Sequence, residues 1–318
     1  MGIVVFLPLV LPLMAWPIAR LAEQHLHPRT ATRLLTGVAA VLAVCSTVCL
    51  GLVMVVGTAQ LPGNPLPDGW SQPEVRAAVP YDEVVGKAAI PALCAVVVAW
   101  GRTLWRHGRV RGRAHRAPAG LPGAAVAVLP DEAPYAYALP GRRRGRVVVT
   151  TGLLDYLESA ERRALFAHER AHLAARHHRF LLTVQLAARA NPFLLPLRTA
   201  VSYTAERWAD EEAARAVGDR RTVASAIGKA ALVGRSAQVP TLAGFAAPAA
   251  FAAPGPVPRR VAALLGPAPA VRRRPPPSPF TTVGPAVWCA AVGTAVSAMS
   301  SANATVTMIL IPHAATPL

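Results

Sequence analysis

The stretch that most constrains this chain is His168-Glu169-Arg170-Ala171-His172, in which two histidines lie four residues apart. In an α-helix this spacing places both imidazoles on one face, one turn apart, so they can bind a single metal ion. The glutamate between them lies beside that face, where it can act as general base on a metal-bound water. Ser159 is a suitable N-cap, and no Pro or Gly follows it before the motif ends. The sequence therefore predicts a helix with two zinc ligands, His168 and His172, and a catalytic base, Glu169.

A third ligand would decide the kind of zinc site, and His178 is one candidate. It follows the first motif histidine by ten residues, as in the metzincin pattern H-E-x-x-H-x-x-G-x-x-H. That pattern needs a glycine to turn the chain, whereas this chain has Ala175, which favours a helix and resists positive φ. If the helix continues through Ala175, His178 points away from the metal face. The metzincin interpretation is therefore disfavoured.

Glu206 is the other candidate for the third ligand, and Asp210 follows it four residues later. On a helix these two side chains share a face. A Glu206 carboxylate would complete a His₂Glu set and leave a fourth position for water, as a catalytic zinc requires. Asp210 could accept the free ring N–H of a ligand histidine and so fix its tautomer. Clustered acids commonly form a solvated helix face instead, but the upstream motif favours the ligand interpretation and one Zn²⁺ per chain.

These motifs together resemble those of membrane-bound gluzincin peptidases. The run Arg146-Val-Val-Val-Thr-Thr-Gly-Leu-Leu-Asp155, the H-E-x-x-H helix and Glu206-x-x-x-Asp210 are similar to BlaR/MecR-type membrane zinc metallopeptidases, with HtpX/Ste-type CAAX proteases as relatives. The resemblance implies a minimal α+β gluzincin domain. It also implies that the two motif histidines and Glu206 bind zinc, and that the motif glutamate is the catalytic base.

Long uncharged stretches indicate that the chain is embedded in a membrane. Hydrophobic residues make up 53% of it and the mean hydropathy is +0.37, which is too apolar for most soluble domains. Four stretches are long enough to cross a bilayer: residues 2–19, 34–59, 84–105 and 283–311. The sequence thus predicts a multi-pass α-helical membrane protein with four spans, three within residues 1–117 and the fourth within residues 281–318.

Arginines at the ends of these stretches predict the orientation of the chain. Six lie at and after the end of the third stretch, with no acid among them: Arg102, Arg106, Arg109, Arg111, Arg113 and Arg116. By the positive-inside rule, this segment and the peptidase domain that follows are cytoplasmic, and both termini are external. A net charge of +17 could also indicate nucleic-acid binding. The clusters lie at membrane boundaries, however, so we expect anionic lipid headgroups as partners and no direct nucleic-acid binding.

Residues 118–240 are expected to form one small α+β domain that carries both metal-site motifs. Three short apolar segments in it predict strands: Val126–Leu129, Tyr135–Leu139 and Val147–Thr150. Residues 180–197 carry a single charge and could be read as another span. A crossing there would put Glu206 on the opposite side of the membrane from His168, so we interpret this segment as a core helix with a break at Asn191-Pro192.

Residues 241–280 are rich in Pro and Ala and predict a linker back to the membrane, with at most a short helix at Arg259 to Leu265. The four cysteines all lie within predicted spans: Cys45, Cys49, Cys94 and Cys289. Neither a disulfide framework nor a thiolate metal site is therefore expected.

Two functions from different classes fit these features. The first is a membrane-embedded zinc metalloendopeptidase that hydrolyses a protein substrate at the cytoplasmic face of the cell membrane. By resemblance, that substrate would be a transcriptional repressor or a membrane protein. The second is a catalytically silent membrane sensor or scaffold that retains the metallopeptidase fold. Glu169 argues against the second function, because a structural metal site needs no general base.

Overall fold

The computed structural model describes residues 7–59, 82–116, 125–141, 145–236, 257–269, 288 and 290–303. Most of these residues are helical, and three short strands form one small sheet. The helices are α1 (Leu7–Val10), α2 (Ala15–His25), α3 (Pro28–Ala59), α4 (Asp82–Arg116), α5 (Thr151–Leu154), α6 (Ser159–Ala175), α7 (His177–Ala190), α8 (Leu195–Val217), α9 (Arg220–Ser236) and α10 (Val257–Leu265). Residues 290–303 are also helical.

The helices α3 and α4 are both long and apolar enough to cross a membrane. They contain the second and third predicted spans, residues 34–59 and 84–105. Their backbones meet at two glycines, because a Cβ placed on Gly57 would lie 2.1 Å from the carbonyl carbon of Gly86. No side chain fits at this crossing, so glycine at both positions allows α3 and α4 to pack closely.

The first and fourth predicted spans are not shown as membrane-spanning helices. Residues 2–19 overlap α1 and α2, which are separated by a 3₁₀ turn at Leu11–Met14. Three prolines in this stretch lack the N–H that a regular helix uses, which accounts for the interruption. Within residues 283–311 the structure describes the helix at 290–303, and most of the remainder lies outside the described residues. Four spans therefore stay a prediction.

The three predicted strands are present to within one residue of their predicted bounds: β1 (Val126–Leu129), β2 (Ala136–Leu139) and β3 (Arg146–Thr150). The central strand is β3, which pairs parallel with β1 and antiparallel with β2. It is buried from Val147 to Thr150, as its valine-rich sequence favours. Val149 shares a hydrophobic core with Leu165 of α6, so the sheet supports the helix that carries the H-E-x-x-H motif.

Helix α6 begins and ends differently from the prediction. Its N-cap is Glu158 rather than Ser159, and Glu158 forms a capping box in which its side chain and that of Glu161 each accept a backbone N–H of the other residue. The helix ends at Arg176, whose φ of 54° and ψ of 44° are left-handed. His178 is expected to point away from the metal face only if the helix continues past Ala175. This condition is not met, because α7 begins only after the left-handed Arg176.

Two hydrophobic cores hold the metal-site helices in place. The first joins α2, α3, α7 and α8, and includes Ile18, Leu35, Leu42, Val184 and Leu197. The second joins the sheet, α6, α9 and α10, and includes Val149, Leu165, Ile227 and Leu264. Residues 180–197 contribute to the first core as α7 and the start of α8, with the expected break at Asn191. Because α8 also packs on α6, the two cores fix the relative positions of both motifs.

Helix α10 lies in the region for which the sequence predicts a linker with a short helix. Its Leu264 is buried in the second core. Its last turn is capped by Arg220, which donates hydrogen bonds to the carbonyl oxygens of Ala263 and Leu264. This part of the predicted linker is therefore docked on the peptidase domain.

Candidate metal centre

Helix α6 brings His168 and His172 together as their spacing predicts. Their Nε2 atoms lie 3.0 Å apart, and both side chains are buried. Two nitrogens bound to one tetrahedral zinc would lie roughly 3.3 Å apart. A small outward movement of each ring would therefore accommodate the ion. Glu169 is also buried, and its Oε1 has no hydrogen-bond partner among the described residues.

Glu206 of α8 faces the two histidines from across the site. Its Oε2 lies 3.5 Å from Nε2 of His168, and its Oε1 lies 3.5 Å from Nε2 of His172. One ligand atom from each of these three residues lies within 4.8 Å of the other two. The Glu206 side chain retains 16% exposure, but its Oε2 is buried. The structure thus brings together the three residues predicted to be ligands.

Asp210 lies one turn after Glu206, where it contacts the other edge of His168. Its Oδ1 is 3.1 Å from Nδ1 of His168, and its side chain is fully buried. This is the position expected of a residue that fixes the tautomer of a ligand histidine. Burial opposes the charged form, but Arg260 and His168 lower the pKa of Asp210 to about 2. Asp210 is therefore a carboxylate, which favours a proton on Nδ1 of His168. The other ring nitrogen, Nε2, faces the cluster and can bind a metal through its lone pair.

Arg260 of α10 completes the site, although no motif in the sequence indicates its role. Its Nε and Nη2 donate to the two carboxylate oxygens of Asp210 at 2.8 and 2.6 Å, and its Nη1 lies 3.2 Å from Oε2 of Glu206. The residue is 2% exposed. These carboxylates raise the pKa of Arg260, although burial opposes this, so the guanidinium stays charged. Arg260 therefore holds both acidic side chains of α8 in fixed positions.

The donor set and its charge both suit zinc. Two imidazole nitrogens and one carboxylate oxygen form a set common in catalytic zinc sites. With neutral histidines, the buried carboxylates Glu169, Glu206 and Asp210 face the single guanidinium of Arg260, so two negative charges are in excess. A divalent cation would neutralise this excess. Burial raises the pKa of Glu169. Burial opposes the charged form of His168, but the hydrogen bonds of this ring to Asp210 and Glu206 raise its pKa to about 9.

His177 is a further residue of the site that the sequence argument missed. It is fully buried, and its Nδ1 lies 2.8 Å from Nδ1 of His172. Burial and the neighbouring His172 lower the pKa of His177 to about 2, so its ring is neutral. The sequence signal for His177 is its place beside His178 in the histidine pair that follows the motif.

His178 is absent from the cluster of candidate metal ligands among the described residues. It lines a separate cavity with Arg111, Arg176 and Arg179. Burial and these arginines lower the pKa of His178 to about 4. The preference for Glu206 over His178 therefore agrees with the geometry, although the helix does not continue to His178 but is interrupted at Arg176.

Comparison with known proteins agrees with this geometry. Residues 102–188 match the model of peptidase family M48. The matched range includes the H-E-x-x-H motif, whereas Glu206 and Asp210 lie beyond its end. No curated protein and no solved structure matches the chain significantly. The match supports a zinc metallopeptidase of the M48 family, and the more specific BlaR/MecR type is not confirmed by it.

Proposed function

We propose that the chain is a zinc metalloendopeptidase in which His168, His172 and Glu206 hold the metal. The observation that carries this proposal is the buried cluster in which these three ligand atoms lie within 4.8 Å of one another. The bound zinc would polarise the scissile carbonyl and lower the pKa of a water molecule. The family match supports the same reaction class.

In this proposal Glu169 is the general base. It directly follows His168 on α6, and its Oε1 is buried without a hydrogen-bond partner among the described residues. Burial raises the pKa of this carboxyl, and a raised pKa makes the carboxylate a stronger base toward the proton of a water molecule, which it can then pass to the leaving amine. A solvated carboxylate would be a weaker base at neutral pH.

Two residues orient the ligands without touching the reacting atoms. Asp210 accepts the Nδ1 proton of His168, so that the lone pair of Nε2 is available to the metal. Arg260 binds Asp210 through two hydrogen bonds and also pairs with Glu206, so the carboxylate ligand keeps one orientation.

We also propose that the chain is a multi-pass protein of the cell membrane with a cytoplasmic peptidase domain. In α4, only 17% of the most apolar 18-residue stretch is buried. Val97, Val98, Leu104 and Trp105 are all exposed on this helix. A lipid environment would cover this apolar surface, which a soluble protein would not leave open to water.

Anionic headgroups are the proposed lipid partners of the segment that follows. A cavity of about 690 Å³ lies at the junction of α4, α6 and α7. It is lined by three arginines, Arg111, Arg176 and Arg179, together with His107 and His178. The described residues that line it include no acid, so its positive potential favours anions.

The substrate class we propose is a cytoplasmic or membrane-bound protein, such as a transcriptional repressor. The test compares the full-length wild type with Glu169→Gln in detergent, with zinc content and casein or self-cleavage as readouts. We expect about one zinc per chain in both proteins. Proteolysis should fall on the order of 10²-fold or more in the variant, because an amide cannot accept the proton of water.

His178→Ala is the matched control, because it removes a nearby histidine outside the cluster, and it should keep both zinc and activity. Equal turnover of the wild type and Glu169→Gln would refute the proposed mechanism. Zinc binding without proteolysis in the wild type, with a range of protein substrates, would favour the silent scaffold instead.

A further inference from the structure

The junction between α6 and α7 directs a third histidine, His177, toward the metal cluster. Arg176 is the described non-glycine residue with a positive φ, and it both ends α6 and precedes α7. The residue that follows, His177, is fully buried. The left-handed turn therefore returns its ring to His172, the residue one turn before the end of α6.

The two nitrogens of His172 have different neighbours. Its Nε2 lies 3.0 Å from Nε2 of His168 and 3.5 Å from Glu206, which is the side where a metal would bind. Its Nδ1 lies 2.8 Å from Nδ1 of His177. A histidine that binds metal through Nε2 carries its proton on Nδ1, so the contact requires His177 to accept that proton in a hydrogen bond.

The surroundings of His177 leave it one role in this contact. Its ring packs edge-on against Trp208 with centroids 4.7 Å apart, and Phe180 lies beyond at 6.4 Å. Its Nε2 is buried without a hydrogen-bond partner among the described residues. The aromatic packing fixes the ring plane, so Nδ1 of His177 faces His172 and cannot reorient toward the metal.

We infer that His177 is the positioning residue of His172, whose tautomer and ring orientation it fixes by accepting the Nδ1–H hydrogen bond. The inference rests on the proposed zinc site. The two histidine ligands are then supported unequally, because His168 has a charged carboxylate partner in Asp210 and His172 has a neutral imidazole. A neutral acceptor orients its ligand but increases its basicity less than a carboxylate does.

The test separates the acceptor from the packing of the ring. His177→Phe keeps an aromatic ring against Trp208 but removes the acceptor, whereas His177→Asn restores an acceptor close to the position of Nδ1. Zinc affinity of the full-length protein in detergent is measured by competition with a chromophoric chelator. We expect His177→Phe to weaken zinc binding on the order of 10–100-fold. His177→Asn should recover most of this loss, and the control His178→Phe should bind as the wild type does.

Equal affinity of His177→Phe and the wild type would overturn the inference, as would equal losses in the Phe and Asn variants. Thermal unfolding of the zinc-free protein shows whether His177→Phe folds. If it does not, His177→Asn is compared with His177→Leu instead, because these two side chains are similar in size and only asparagine has an acceptor. A wild type that binds no zinc, or binds it equally after His172→Ala, would refute the proposed site itself. Normal zinc binding that depends on His172 but not on His177 would refute this inference alone.

Discussion

Arg260→Met should be the most destabilising single change in the candidate site of the zinc-free protein. Methionine keeps most of the aliphatic length of arginine but removes the guanidinium and its contacts with Asp210 and Glu206. Asp210 is fully buried, so its charge would lose its main compensation. Removing one partner of a buried ion pair costs about 3–5 kcal/mol. At roughly 2–4 °C per kcal/mol for a domain of this size, the melting temperature should fall by about 6–20 °C.

The neighbouring arginine provides a matched control. Arg259 pairs with Glu23 and lies over the ring of Tyr203, but 59% of its side chain is exposed. An exposed ion pair contributes about 0–1 kcal/mol, so Arg259→Met should melt close to the wild type. The double variant Arg260→Met/Asp210→Asn removes both charges, and it should recover much of the stability lost in the single variant.

The assay is thermal unfolding of the chelator-treated full-length protein in detergent, followed by circular dichroism at one scan rate. Zinc affinity of the same variants provides a second readout, because Arg260 holds two side chains of the metal site. We expect Arg260→Met to bind zinc on the order of 10–100-fold more weakly. A loss of stability below about 1 kcal/mol, or an equal loss in Arg259→Met, would show that the buried ion network does not hold the site together.

Three further predictions test other parts of the structure. Glu206→Ala should lose most of the bound zinc while His178→Ala retains it, and Asp210→Asn should weaken zinc binding on the order of 10–100-fold; the reverse order for the first two would refute the choice of third ligand. Burial opposes the charged form of Glu161, but hydrogen bonds from Lys229, Glu158 and Ser225 lower its pKa below 4.5, so it contributes stability that is present above pH 4.5 and lost as the pH falls below that value. Between pH 7 and acid pH, the wild type should therefore lose more of its unfolding free energy than Glu161→Gln does. Parallel curves of stability against pH for the two proteins would contradict this. In a background without cysteine, an impermeant thiol reagent applied to intact cells should label Ser71→Cys and spare Gly112→Cys, and the opposite pattern would place the peptidase domain outside the cell.

The parts of the site that could be predicted depend on short-range spacing. A separation of four residues on a helix decides which side chains share a face, and this brought His168 to His172 and Glu206 to Asp210. The three strands followed from short apolar runs, two of which are rich in valine. Long apolar stretches predicted α3 and α4, because the length and composition of a membrane-spanning helix can be read from its own sequence without knowledge of its partners.

The parts that could not be predicted depend on contacts between distant residues. Arg260 is one of 33 basic residues, and nothing in its local sequence distinguishes it from those that face solvent. It binds Asp210, 50 residues earlier in the chain, only because α10 docks on the second core. His177 was missed because helix propensity around Ala175 favours a continuous helix. The left-handed Arg176 ends it instead, and the burial of His177 against Trp208 stabilises that turn.

The packing of α8 on α3 bears on where the domain that holds the metal site begins. Thr204 lies two residues before Glu206, and it accepts a hydrogen bond at 3.0 Å from Thr32 of α3 in a buried position. Arg29 and Arg33, also of α3, lie over the ring of Trp208 at 5.4 and 5.3 Å. The helix that supplies the third ligand is therefore held by the first turns of a helix that is apolar enough to cross a membrane. Since α8 and α3 share one core, the segment 118–240 lacks part of the support of its own metal site when it is separated from α3.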